Sequence, residues 1–202
     1  MNHRSRIVVT GGPGGGKSTA VELFRRELGE RVIVVPESAT LLFAGGFPRH
    51  PTPDAQKAAQ RAIFHVQRNL EDVQAAAYPE RLLLCDRGTM DGAAYWPGSP
   101  EHYFDAMGTT VEAELSRYDG VIFFESAAAG GHSIEGGNPT RTESNAEAAR
   151  LDLALQAIWK QHPRYAFIRN ERSFFAKLQA GIIALTQMAE SMGFPLTPAV
   201  SG

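Results

Sequence analysis

The stretch GGPGGGKS at residues 11–18 has five glycines in eight positions and ends in a lysine and a serine. It follows a short apolar run, RIVVT at 6–10, and leads into a segment, 17–28, whose apolar residues have helical spacing. A glycine-rich turn between a strand and a helix N-terminus gathers backbone N–H groups in one concavity, where they attract phosphate. Because the pattern GxxxxGK(S/T) stands in the context that it requires, it predicts a nucleoside triphosphate site.

The contacts expected of this phosphate loop (residues 11–18) differ in kind. The backbone would donate N–H groups, the Lys17 ammonium would supply a point charge for the β- and γ-phosphates, and the Ser18 hydroxyl would ligate Mg²⁺. The predicted nucleotide-binding residues are Gly11, Gly12, Pro13, Gly14, Gly15, Gly16, Lys17, Ser18 and Thr19. A glycine-rich turn with an incidental lysine is the structural alternative.

Apolar runs rich in β-branched residues recur along the chain, at 6–10, 31–36, 81–85, 120–124 and 165–168. They are continuous rather than alternating, as expected of strands that are covered on both faces. Segments with helical spacing lie at 17–28, 53–78, 110–117, 144–160 and 173–192. The repetition of strand and helix predicts an α/β fold with a parallel sheet and helices on both faces.

The chain of 202 residues is expected to form one domain, residues 1–202. A glycine-rich segment at about 126–150 turns helical where Ser144 and Glu147 form a capping-box pair. We interpret this segment as a small lid, with a plain surface loop as the alternative. Residues 193–202 are expected to form a poorly ordered tail.

Composition and charge disfavour several kinds of partner. The formal net charge of −2 gives no reason to expect nucleic acid, and no run approaches the ~18 apolar residues of a membrane span. The single cysteine, Cys85, stands in the apolar run RLLLCDR and is expected to be a core residue rather than a nucleophile. An unpaired cysteine fits a reducing compartment, so a soluble cytoplasmic protein is expected.

Polar residues that follow the second and third predicted strands are candidates for catalysis. Glu37, in VVPESAT, lies at the edge where open α/β sheets bind ligands, and it could take the proton from an attacking hydroxyl. Asp86, in LLLCDR, could hold Mg²⁺ or its waters, and Arg87 could reach the transferring phosphoryl group. The alternatives are a helix cap for Glu37 and a strand terminator for Asp86.

Two further arginines, Arg141 and Arg150, flank the start of the predicted lid helix. Guanidinium groups stabilise the charge that develops in phosphoryl transfer, although an exposed surface position is an equal alternative for each. The last strand leads into IRNERSFF, which lacks a guanine-reading NKxD, and LLLCDR lacks the acidic pair of a motor ATPase. A small-molecule kinase therefore fits these residues better than a GTPase switch or a motor.

An acceptor pocket is the least defined part of the prediction. Gln60, Phe64 and Gln67 share one face of the long helix 53–78, where a ring with flanking amides could bind a planar base. Glu37 and Asp91 are assigned to the same pocket. An amphipathic core helix is the more frequent explanation of this spacing.

Several segments together resemble the AAA-type P-loop ATPase/kinase family: VVTGGPGGGKST, VVPESAT, LLLCDRGTMDGAAYWP, NPTRTESNAEAARLD, IWKQHP, FIRN and SFFAKL. That family includes the nicotinamide riboside kinase domain of the bifunctional bacterial regulator of NAD synthesis, and GTP-binding members linked to phospholipid recognition. The resemblance implies a P-loop NTPase three-layer sandwich with strand order 2-3-1-4-5 and a small lid. It covers about residues 5–185.

The pieces PES and DRG also resemble motifs of deoxynucleoside kinases. That likeness implies that Glu37 is the catalytic base and Arg87 the phosphate-directed arginine. Gly88 departs from it, since those kinases have serine there, and the predicted lid has fewer arginines than theirs.

The function expected is therefore phosphoryl transfer from ATP, with Mg²⁺, to a small hydroxyl-bearing metabolite such as a nucleoside. The catalytic set is Lys17, Glu37, Asp86, Arg87, Arg141 and Arg150. The alternative is an ATP- or GTP-binding regulatory switch that acts on a partner protein or phospholipid. GTP in place of ATP, and a homodimer, are left open.

Overall fold

The computed structural model describes residues 5–129, 144–171 and 173–194. Its strands are β1 (Arg6–Thr10), β2 (Val32–Val35), β3 (Leu82–Asp86), β4 (Gly120–Phe124) and β5 (Tyr165–Ile168). Its α-helices are α1 (Lys17–Leu28), α2 (Ser38–Ala44), α3 (Pro53–Ala77), α4 (Pro100–Met107), α5 (Val111–Leu115), α6 (Asn145–Trp159) and α7 (Phe174–Ser191). Two 3₁₀ helices cover Gly29–Arg31 and Thr89–Tyr95.

The strands form one parallel sheet of order β2-β3-β1-β4-β5, which confirms the predicted α/β fold and strand order. At its centre Val8 pairs with Cys85 on one side and with Val121 on the other. Since all carboxyl ends lie at the same edge of a parallel sheet, the loops that follow β1, β2 and β3 are neighbours. These are the loops that hold the motif residues.

Both faces of the sheet are covered, which explains the continuous apolar runs. Successive residues of β1 point to opposite sides, so Val8 joins one core cluster while Ile7 and Val9 join the other. The first cluster packs α3, α6 and the 3₁₀ helix Thr89–Tyr95 against the sheet, and the second packs α1 and α7. Cys85 is fully buried in the first cluster, where burial raises the pKa of its thiol well above the usual value.

Four short elements of the described chain were not predicted from the sequence: α2, α4, and the 3₁₀ helices Gly29–Arg31 and Thr89–Tyr95. The last of these was expected only as part of a loop, yet Met90, Asp91 and Ala93 within it are buried. Helices of this length carry too few turns to show an apolar period. The longer helices match their predicted ranges to within one or two residues.

The interpretation of 126–150 as a lid falls largely outside the described chain, which omits residues 130–143 and with them Arg141. The helix that follows begins as predicted, because the Ser144 Oγ accepts a hydrogen bond of 3.2 Å from the Glu147 N–H. Of the predicted tail, residues 195–202 also lie outside the described chain. No helix in the described ranges is both long and apolar enough to cross a membrane.

Candidate nucleotide-binding site

The phosphate loop joins β1 to α1 in a conformation that requires glycine. Gly11, Gly14 and Gly16 have φ values of 133°, 76° and 86°, which side chains rarely allow. A Cβ on Gly11 would overlap the carbonyl oxygen of Phe124 at the end of β4. The loop therefore curls tightly against the sheet edge and leads its N–H groups into the first turn of α1.

Lys17, the first residue of α1, lies beneath the loop. Its Nζ donates a 2.7 Å hydrogen bond to the Gly12 carbonyl, and the side chain is buried. Burial, and then the positive charge of Arg87, lower the pKa of Lys17 to about 7, against the opposing pull of nearby carboxylates. The amine of Lys17 is thus held close to the loop. A phosphate bound there would stabilise its charged form.

Arg87 lies at the centre of the site, one residue beyond β3. Its Nε is 3.1 Å from Glu37 Oε1, and its Nη1 donates to the Gly11 carbonyl at 3.1 Å and to Asp91 Oδ2 at 3.2 Å. Its φ is 75°, the only positive value among non-glycine residues of the described chain. A left-handed conformation costs free energy and is maintained by surrounding contacts, as occurs at functional sites.

Glu37 immediately precedes α2, but its side chain does not cap the helix backbone. One carboxylate oxygen pairs with Arg87, and the other accepts a 2.5 Å hydrogen bond from the Thr40 hydroxyl. Burial acts to raise its pKa, and the Arg87 charge, the Thr40 hydroxyl and the Lys17 charge outweigh that effect, so the pKa lies below its usual value. Glu37 is therefore ionised at neutral pH.

Asp86 and Ser18 are suited to a divalent cation. The Asp86 side chain is buried, its Oδ1 has no hydrogen-bond partner in the described chain, and the Ser18 hydroxyl lies near enough to act to lower the pKa of the carboxylate. Burial, followed by the Glu37 charge, raises the pKa of Asp86. A carboxylate oxygen buried without a partner next to a hydroxyl fits Mg²⁺, which takes oxygen ligands from a protein together with phosphates. No cluster of three or more His, Cys, Asp or Glu in the described ranges offers another metal site.

Asp91 lies under the site rather than at its surface. Its carboxylate accepts hydrogen bonds from Thr10 Oγ1 at 2.9 Å, from Trp159 Nε1 at 2.6 Å and from Arg87 at 3.2 Å. It joins the end of β1, the end of α6 and the residue after β3. The contacts assign Asp91 a role in holding Arg87.

The other residues assigned to the acceptor pocket are also engaged within the protein. Phe64 is almost fully buried and packs edge-on against Tyr103. The Gln67 amide accepts from the Ser38 N–H and donates to the Arg87 carbonyl. Gln60, four residues before Phe64 on α3, is half-buried. The acceptor pocket remains a prediction, and these contacts identify Gln67 as a support for the Arg87 backbone.

The two lid arginines are not both described. Arg141 lies outside the described residues. Arg150 is on the exposed side of α6, where its guanidinium forms a two-bond ion pair with Glu147 of the same helix. Its assignment to catalysis stays a prediction.

Four residues that contact the site were not singled out in the sequence. Asp152 on α6 and Ser126 after β4 hydrogen bond to the phosphate loop. Trp159 on α6 hydrogen bonds to Asp91, in the 3₁₀ helix after β3. The ring of Phe174 lies against Gly16 and is half-exposed. Asp152 is the last residue of the segment 138–152, on which part of the family resemblance rests. That resemblance is the sequence signal that could have identified Asp152.

Comparison with known proteins agrees with this geometry. The comparison with curated proteins returns no match. A family model described as an AAA domain matches residues 6–175, from the first residue of β1 to the first turn of α7. Since the match spans most of the chain and includes the phosphate loop, the protein belongs to this AAA-type P-loop NTPase family.

Proposed function

We propose that the protein is an Mg²⁺-ATP-dependent phosphotransferase that acts on a hydroxyl group of a small metabolite, such as a nucleoside. The observation that carries this proposal is the ionised Glu37 carboxylate, which lies next to Arg87 and in the electrostatic field of Lys17. Glu37 is half-buried beside the phosphate loop, where an ionised carboxylate can accept the proton of an acceptor hydroxyl as that hydroxyl attacks the γ-phosphorus. The likeness of PES and DRG to nucleoside kinase motifs supports the same assignment.

The phosphates would be bound by the loop N–H groups and by Lys17. On binding, the Lys17 ammonium would exchange the Gly12 carbonyl for phosphate oxygens, which are stronger acceptors because they are charged. Ser18 and Asp86 would hold Mg²⁺, which supplies charge neutralisation between the phosphates. The half-exposed ring of Phe174 beside Gly16 offers an aromatic face on which a nucleobase can stack.

In the proposed reaction the acceptor oxygen forms a bond to the γ-phosphorus, and the bond from that phosphorus to the β–γ bridging oxygen breaks, which releases ADP. Glu37 takes the hydroxyl proton. Arg87 holds the Glu37 carboxylate and lies beside the loop carbonyl of Gly11, so its charge is available to the equatorial oxygens of the transferring group.

The experiment is an ATP turnover assay with a panel of nucleosides and related alcohols. One member is expected to raise turnover by roughly tenfold or more, and Glu37→Gln is expected to abolish the stimulation while ATP still binds. Glu30→Gln is the matched control, because that carboxylate is 95% exposed and lies at the far end of β2.

A regulatory NTP-binding module is the second candidate, and one observation favours it. Both oxygens of Glu37 have protein partners, Arg87 and Thr40, and a carboxylate that kept both would be a poor base. Turnover that no acceptor changes, and that Glu37→Gln leaves unaffected, would support the regulatory module and refute the kinase.

A further inference from the structure

Helix α6 presents two buried polar groups on one side, and each contacts a glycine-containing motif of the site. Asp152 and Trp159 are seven residues apart, which places them on the same face two turns apart. Asp152 faces Gly12 of the phosphate loop, and Trp159 faces Gly88, the residue after Arg87. The two motifs are distant in sequence, yet one helix touches both.

The contact at Asp152 is made through a single carboxylate oxygen. Its Oδ1 accepts a 2.8 Å hydrogen bond from the Gly12 N–H and another of 2.8 Å from the Ser126 N–H. The Ser126 hydroxyl donates in turn to the Pro13 carbonyl. A Cβ on Gly12 would lie 2.5 Å from that oxygen and 3.0 Å from the Asp152 Cα, so the loop backbone packs directly on α6.

The contact at Trp159 reaches Arg87 by way of Asp91. The indole Nε1 donates to Asp91 Oδ1 at 2.6 Å, and Asp91 Oδ2 accepts from Arg87 Nη1 at 3.2 Å. The six-membered part of the indole fills the space beside Gly88, where a Cβ would lie 2.7 Å from Cη2. A side chain at position 88 would therefore overlap the indole.

We propose that α6 positions the two halves of the site, with Asp152 setting the phosphate loop through Gly12 and Trp159 setting Arg87 through Asp91. The inference rests on the proposed function for the role of Arg87 but needs only nucleotide binding for the role of Asp152.

The charge of Asp152 argues that its role is positional. A carboxylate beside the loop repels a triphosphate, so it does not promote binding by electrostatics. What it provides is an acceptor for two buried N–H groups, which would otherwise be unpaired. An amide of the same shape would provide the same acceptor without the charge.

The first experiment compares ATP binding by Asp152→Ala, Asp152→Asn and Leu155→Ala. Leu155 is a buried residue on the same helix between the two contacts, and it packs in the apolar core. Asp152→Ala is expected to weaken ATP binding by about tenfold or more, and Asp152→Asn to remain within about threefold of the unchanged protein. Leu155→Ala is expected to lower Tm and leave the ATP affinity unchanged.

The positional role of Asp152 would be overturned if Asp152→Ala bound ATP as tightly as Leu155→Ala does. An Asp152→Asn variant as weak as Asp152→Ala would also overturn it. If the unchanged protein binds neither ATP nor GTP, the nucleotide site itself is wrong, and that result is separate from the comparison among variants.

The second experiment separates the two contacts. Trp159→Phe keeps an aromatic ring but removes the N–H that binds Asp91, so we expect turnover to fall by about tenfold at unchanged ATP affinity. Turnover is measured with the stimulating acceptor or, where none stimulates, as basal ATP hydrolysis. A Trp159→Phe variant with normal turnover, or one that loses ATP affinity as Asp152→Ala does, would refute separate control of the two halves.

Discussion

Arg87 Nε lies 3.1 Å from Glu37 Oε1, so the residue that follows β3 is ion-paired with the carboxylate that follows β2. The two strands are adjacent and in parallel register, with Val35 opposite Cys85, which brings their carboxyl ends together. The same guanidinium also binds the Gly11 carbonyl and Asp91. One side chain therefore connects the proposed base, the phosphate loop and the contact from α6.

Arg87→Lys is expected to lower kcat on the order of 10²-fold, although the charge is retained. Arginine donates to Glu37 from Nε and to Gly11 and Asp91 from Nη1, whereas lysine has a single donor nitrogen and no planar fork, so we expect it to lose at least one of these contacts. Steady-state kinetics with the stimulating acceptor measure the effect. Arg81→Lys is the control, since that arginine lies just before β3 in an exposed pair with Glu30. Equal kcat for the two variants would refute the three-way contact as a functional feature.

Arg87→Met is expected to move the acid limb of the kcat profile to higher pH. The Arg87 charge is the largest influence that lowers the pKa of Glu37, against a burial effect that raises it. Without the Arg87 charge the pKa of Glu37 rises. When the solution is made more acidic, the Glu37 base is then protonated, and turnover is lost, at a higher pH than in the wild-type protein. A kcat profile from pH 5 to 9 measures the residual activity, and an acid limb that stays in place would contradict Glu37 as the base.

ATP affinity is expected to depend on pH because of Lys17. Its pKa is about 7 in the nucleotide-free protein, and triphosphate binding favours the charged ammonium, which raises the pKa in the complex. Affinity is therefore highest below pH 7 and falls as the pH rises from about 7 towards the pKa of the complex. Calorimetry at pH 8 in two buffers of different ionisation enthalpy should show net proton uptake.

Lys17→Ala gives the matching control for that measurement. It should lose most of the ATP affinity and the proton uptake while its Tm stays measurable and cooperative. Unchanged ATP binding in this variant would rule out the assigned phosphate loop.

Asp86→Asn is expected to reduce the gain in ATP affinity that Mg²⁺ provides. The buried Oδ1 of Asp86 lacks a hydrogen-bond partner in the described chain, and a neutral amide is a weaker ligand for a hard cation. The measurement is ATP affinity with Mg²⁺ and with EDTA: the two should differ less in the variant than in the unchanged protein. An undiminished Mg²⁺ effect would exclude Asp86 from the metal site.

The sequence was sufficient for the fold and for the residues that follow each strand. Continuous apolar runs give the strands, and carboxyl ends of parallel strands must meet, so Lys17, Glu37 and Arg87 could be expected close together. The contacts of α6 could not be predicted in this way. Asp152 and Gly12 are 140 residues apart, and no periodicity links a buried carboxylate to a distant N–H. Phe64 shows the same limit, since its helical spacing was compatible with a pocket and with a core position, and the contacts that place it in the core could not be read from the sequence.

Gly88→Ser tests whether space, rather than backbone conformation, requires glycine after Arg87. Gly88 has φ −127° and ψ 172°, extended values that any residue adopts. Its added Cβ, however, would lie 2.7 Å from Trp159 Cη2 and 2.8 Å from Cζ2. The single variant is therefore expected to lose about 1–3 kcal/mol of unfolding free energy through overpacking.

Trp159→Phe should relieve that overlap, because phenylalanine lacks the outer ring atoms that meet position 88. The double variant Gly88→Ser/Trp159→Phe is then expected to be more stable than the sum of the single effects by about 0.5–3 kcal/mol, measured by urea denaturation of all four proteins. Strictly additive changes in unfolding free energy would mean that residues 88 and 159 do not compete for space. The contact that requires glycine at position 88 would then be the one with Tyr118, whose hydroxyl is 3.0 Å from the same Cβ position.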